Sequence, residues 1–190
     1  WDYLYNPFKQ AHIRTEFSHE FYAIVAYDAI TQIYKRSNFI EATKQIKQIV
    51  DSVTNMFHSY RPHIILNGHS GGGSFIFGYL DAVESIPAHI GRIAFLDSDY
   101  GYETEKHAKK LADWLKQSKK NNLVVLAYND SVVIYNGKPL LSPTGGTWYR
   151  SRLMQRKLSE TFSFKTNTDT SLIWHKALKG RIQIVLKENP

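Results

Sequence analysis

Residues 64–75 read IILNGHSGGGSF, from Ile64 to Phe75. An apolar run stops at Asn67, one serine stands among four glycines, and a second apolar run begins at Phe75. The first run has the length of a buried strand, and Ser74 to Glu84 reads as a helix. Between them, Gly68-His69-Ser70-Gly71-Gly72 matches G-x-S-x-G in the strand–turn–helix setting that gives this motif its meaning. A serine at so sharp a bend sits in disfavoured backbone geometry, and its neighbours two residues away must lack side chains for the chain to close. The bend lifts the hydroxyl above the carboxyl edge of a sheet. It also leaves the N–H of Gly71 free at a helix start, where developing negative charge is favoured. On this reading a side chain at Gly68 or Gly72 collides across the bend, whereas Gly73 stands in regular helix and tolerates alanine. Two other readings compete: a glycine-rich turn that only permits close packing, and a phosphate-binding loop. Against the latter, neither G-x-x-x-x-G-K-[ST] nor the G-x-G-x-x-G spacing is present.

Strand and helix signals alternate outward from this turn. Upstream, Phe21 to Ala29 (FYAIVAYDA) reads as a buried strand, and Asn38 as the N-cap of a helix over 39–57 with Ile46, Ile49, Val50 and Val53 at helical spacing. Downstream come a strand at Ile93 to Leu96, a helix at Thr104 to Gln117, and a strand at Leu123 to Tyr128. A helix at Thr147 to Phe162 and a strand at Arg181 to Lys187 follow. Strands separated by helices imply right-handed crossovers and a mostly parallel sheet. The expected fold is α/β, a three-layer sandwich around such a sheet, in one domain of 190 residues.

Composition excludes several classes. The chain has no cysteine, which removes disulfides and thiolate metal sites. Lone histidines without a second spaced ligand argue against a metal centre, and no cofactor motif is present. No run approaches the roughly 18 apolar residues of a membrane span. The net charge of +7 comes from scattered lysines, several on the polar side of the helix at 104–117, so a solvated helix face is expected rather than a nucleic-acid surface.

The GHSGG turn, with the strands and helices around it, resembles the α/β-hydrolase superfamily over residues 21–190, and the tail ending KENP resembles uncharacterised bacterial hydrolase-like proteins. The resemblance implies Ser70 as nucleophile, Gly71 as first oxyanion donor, and an acid and a histidine after later strands. Two strands end in aspartate. Asp130 is the preferred acid and Asp97 the alternative, with Asp99 behind them; a strand-end turn or helix cap is the competing reading for each. His175, in SLIWHKALKG, precedes the last strand and is a weak candidate for the base; the resemblance places the catalytic histidine after Pro190. The family's first strand and oxyanion loop have no counterpart in residues 1–20, where Lys9 to Phe17 offers one strand, so the domain is read as incomplete at both ends.

His69 falls at a variable motif position and Asn67 and Ser74 are expected to brace the turn. Tyr100 and Tyr102 are candidates for a pocket wall, and Thr144–Trp148 (TGGTW) for a substrate wall or a turn capped by Thr147. The expected function is a serine hydrolase cleaving a small-molecule ester, less readily an amide; the alternative is a non-catalytic binding module on the same fold.

Overall fold

The computed structural model describes residues 39–188, with side chains from Ala42 onward; the expected strands at 9–17 and 21–29 and the cap at Asn38 lie outside the described residues. Helix α1 (Phe39–Met56) leads to β1 (Ile64–His69), helix α2 (Gly72–Ala82) and β2 (Ile90–Leu96). A π-helical turn at Thr104–Ala108 runs into α3 (Lys109–Gln117), followed by β3 (Asn122–Tyr128) and a short hairpin, β4 (Ile134–Tyr135) and β5 (Lys138–Pro139). Helix α4 (Gly146–Ser159) precedes β6 (Lys165–Asp169), β7 (Leu172–Ala177) and β8 (Ile182–Lys187).

The main sheet has six strands in the order β1-β2-β3-β8-β7-β6. The pairs β1/β2, β2/β3 and β3/β8 are parallel, while β7 is antiparallel to both β8 and β6, so β7 alone runs against the other five. The fold is therefore α/β with a mixed, mostly parallel sheet, as the alternation of apolar runs implies.

Period-2 alternation decides which face is covered. Leu66, Ile93, Phe95, Leu123, Val125, Ile182 and Ile184 share one face and are buried. They join Ile76 and Leu80 of α2, Leu111 and Trp114 of α3, and Met154 and Leu158 of α4 in one core. The opposite face leaves Ile65, Leu126 and Tyr128 about two-fifths exposed. Among the described residues, helices α2 to α4 form a single layer on one side, and a second helical layer is not seen.

Polar contacts lock the layer. Trp114 Nε1 donates to the Ile90 carbonyl at 2.8 Å. The Arg181 guanidinium donates to the carbonyls of Leu115, Ser118 and Asn121 at 2.8–3.0 Å, closing the C-terminus of α3 onto the start of β8. Two elements depart from expectation. The helix at 104–117 begins with a π turn, and β6 and β7 form an antiparallel hairpin that the sequence does not announce, because all five residues of β6 (KTNTD) are exposed.

Candidate active site

Ser70 lies immediately beyond β1, with φ +48°, a left-handed conformation that non-glycine residues rarely adopt. One strand away, Asp97 immediately follows β2 with φ +50°. His69 pairs with Leu96, so the two strained residues leave neighbouring parallel strands side by side at the carboxyl edge. Strain retained at two adjacent strand ends requires surroundings that over-determine it.

Ser98 supplies much of that. Its hydroxyl, fully buried, donates to the Gly68 carbonyl at 2.7 Å. Its own carbonyl oxygen lies 1.7 Å from where a Cβ on Gly73 would stand. A Cβ on Gly68 would lie 2.6 Å from the carbonyl carbon of Gly72. Around Gly71 and Gly72 there is open space. The expectation is corrected: Gly68 is indispensable as read, but Gly73 and not Gly72 is the second tight position. Its partner comes from the next strand, which local sequence cannot reveal.

Above the turn, the Tyr100 hydroxyl donates to the Ser70 carbonyl at 2.9 Å and lies 3.3 Å from Ser74 Oγ. Gly73 donates its N–H to the same carbonyl at 3.1 Å. Gly71 is the N-cap of α2 and Gly72 its first residue, so their N–H groups precede any intrahelical acceptor. Ser70 thus stands exposed next to the positive end of an 11-residue helix, whose Gly71 and Gly72 N–H groups have no acceptor among the described residues. An apolar groove of about 150 Å³ between α1 and β1 is lined by Val53, Ile64 and Phe75 and reaches Asn67 and Gly72 beside the turn.

Both candidate acids converge on the start of α4. Asp130 is buried; its Oδ2 accepts the Thr147 N–H at 2.7 Å and the Thr147 hydroxyl at 3.2 Å, and its Oδ1 accepts the Trp148 N–H at 3.3 Å. It caps α4 from outside the helix, whereas TGGTW alone suggests Thr147 as the cap. Gly146, with φ +79°, has no room for a Cβ beside that carboxylate. Asp97 is half-buried and accepts the Thr147 hydroxyl through Oδ1 at 2.5 Å.

Asp99 is fully buried and held by the Ser151 hydroxyl, 2.7 Å from its Oδ2. Burial pushes its carboxyl up to about 7; the Ser151 hydrogen bond opposes this, and the charges of Asp97 and Asp130 add to it. Among the described residues no group of three acidic or histidine side chains is arranged to hold a metal ion.

No described imidazole hydrogen-bonds to Ser70. His175 pairs with Ile184, which is in register with Val125, Phe95 and Gly68, four strand spacings or about 19 Å from the turn. It bonds Thr166 Oγ1 at 2.8 Å instead. His63 and His89 precede β1 and β2, at the opposite edge of the sheet roughly 20 Å away. His107 is buried behind α2, its Nδ1 accepting the Glu103 N–H at 2.9 Å and its Nε2 facing Asp81 at 3.1 Å, so both nitrogens are engaged; burial lowers its pKa. His69 is exposed on the sheet face away from the helices. His12 and His19 lie outside the described residues. Compared with protein-family models, with curated proteins and with solved structures, the chain matches none.

Two outcomes test this geometry. Gly68→Ala and Gly73→Ala should each destabilise by about 1–3 kcal/mol, the usual cost of forcing atoms into a packed site, while Gly72→Ala should be neutral or stabilise by up to about 1 kcal/mol. Thermal melts check the ranking; equal melting of all three contradicts it. For Asp99, a pKa raised from 3.8 to about 7 means that the folded state holds a proton the unfolded chain releases. The stability this proton confers is complete below about pH 4 and lost as pH rises toward 7. Asp99→Asn should therefore raise Tm more at pH 8 than at pH 5, and an equal shift at both contradicts the raised pKa.

Proposed function

We propose that the chain is a serine hydrolase of the α/β-hydrolase kind that cleaves an ester by acyl transfer through Ser70. The observation that carries this reading is the left-handed φ of Ser70 between a parallel strand and a helix N-terminus, where the neighbouring Gly71 N–H has no acceptor among the described residues. As a base takes its proton, Ser70 Oγ attacks the ester carbonyl carbon and the Gly71 N–H receives the oxyanion; the alkoxy–carbon bond then breaks as the alcohol takes that proton from the base. Water then releases the acid from the acyl-serine. The groove reaching Gly72 supplies an apolar wall for a short acyl group.

Asp97 is the better-supported acid. It leaves the strand next to Ser70, and its Oδ2 makes no hydrogen bond among the described residues, whereas Asp130 commits both oxygens to α4. The general base is an imidazole supplied from outside the described residues. That no described imidazole meets Ser70 is also what favours the second reading, a hydrolase-like module that binds rather than cleaves.

A fluorophosphonate probe should label the chain at Ser70 and leave Ser70→Ala unlabelled. Labelling that persists in Ser70→Ala, or fails in a preparation with ester-cleaving activity, removes the nucleophile. Within an active preparation, Asp97→Asn should lower turnover by about 10⁴ with little change in Tm. Asp130→Asn should lower Tm by weakening the cap, with a smaller effect on turnover; the reverse ranking makes Asp130 the acid.

A further inference from the structure

The hairpin between β3 and α4 gathers four exposed apolar side chains within nine residues. Val132, Ile134, Tyr135 and Leu140 are 50%, 61%, 66% and 55% exposed. Asn136 and Gly137, with φ +49° and +73°, make the tight primed turn whose twist matches its strands. Ile134 stands opposite Pro139 and Tyr135 opposite Lys138, and adjacent positions on a strand face opposite sides. All four are exposed, so the ribbon projects from the carboxyl edge with apolar atoms on both faces.

A protein partner with a flat surface covers one face of such a ribbon and leaves the other wet. A medium that surrounds the ribbon covers both. The charge pattern points the same way: Lys138, at the tip, is the only charged residue between Asp130 and Arg150, and the whole chain carries +7. Apolar side chains with a tyrosine, flanked by a cation and free of carboxylates, suit the boundary between headgroups and acyl chains of an anionic bilayer. Among the described residues no helix is long and apolar enough to cross a membrane. From these observations we infer that the ribbon Val132–Leu140 is a lipid-docking finger that inserts into the surface of anionic membranes.

Docking is read out as binding, so it stands apart from any chemistry at Ser70. The chain contains no cysteine, and Tyr135→Cys therefore takes a single environment-sensitive dye at the tip. With vesicles of phosphatidylcholine and 30% phosphatidylglycerol, the labelled full chain should show a blue-shifted, brighter emission. In sedimentation with the same vesicles, the unlabelled chain should bind at least tenfold more tightly than Ile134→Ser/Tyr135→Ser at unchanged Tm. Lys138→Glu should remove the preference over pure phosphatidylcholine. No sedimentation with either vesicle, equal binding by the serine variant, or a concentration-dependent dimer that the serine variant abolishes and vesicles do not compete with would each overturn the inference.

Discussion

Ser98 grips the turn after β1 from two directions, and the site is built on that grip. Its hydroxyl ties down the Gly68 carbonyl, and its own carbonyl fills the space that any side chain at residue 73 would need. The parallel pairing of β1 with β2 brings Ser98 there, because His69 and Leu96 end their strands in register. Helix α2 therefore starts hard against the loop after β2. The chain turns within two residues, and Ser70 is driven to positive φ with its hydroxyl outward. The Tyr100 bond to the Ser70 carbonyl holds the same residue from above. Strain at Ser70 is thus fixed by packing between strands.

The second constraint is electrostatic. Three aspartates leave two neighbouring strand ends and gather at the first turns of α4, where unpaired N–H groups and hydroxyls meet them. Asp130 uses the helix N-terminus fully, Asp97 shares only the Thr147 hydroxyl, and Asp99 lies too deep to hold its charge easily. One short segment therefore sorts three chemically identical groups into a cap, an open carboxylate and a largely protonated one below neutral pH. Their separation follows from burial first, then from hydrogen bonding and the charges the three place on one another.

Much of this was legible in the sequence where apolar runs are continuous. The strands at β1, β2, β3 and β8 are buried parallel runs, and α1 shows its inner face as Ile46, Ile49, Val50 and Val53 at helical spacing. The turn was legible because serine among glycines between a strand and a helix has few uses. What escaped depended on partners distant in the chain. Gly73 is tight because of Ser98, and Gly72 is not, although local rules treat Gly72 as the crowded one. The sequence offers Asp130 both as an acid and as a cap, but which helix it caps depends on α4, whose Thr147 and Trp148 return from 17 and 18 residues further along the chain. The β6–β7 hairpin has an outer strand of exposed polar residues, so no apolar alternation marks it, and His175 is carried four strands from Ser70 by that hairpin.

We propose that the strained turn presents Ser70 beside the Gly71 N–H as an acyl-transfer site. A crystal structure of the full chain after reaction with a phosphonate ester tests it most directly. A phosphonyl group should stand on Ser70 Oγ, its oxygen about 2.7–3.1 Å from the Gly71 nitrogen, with Ser70 still at positive φ. An adduct on another residue, or one whose oxygen points to solvent from a relaxed turn, would contradict it.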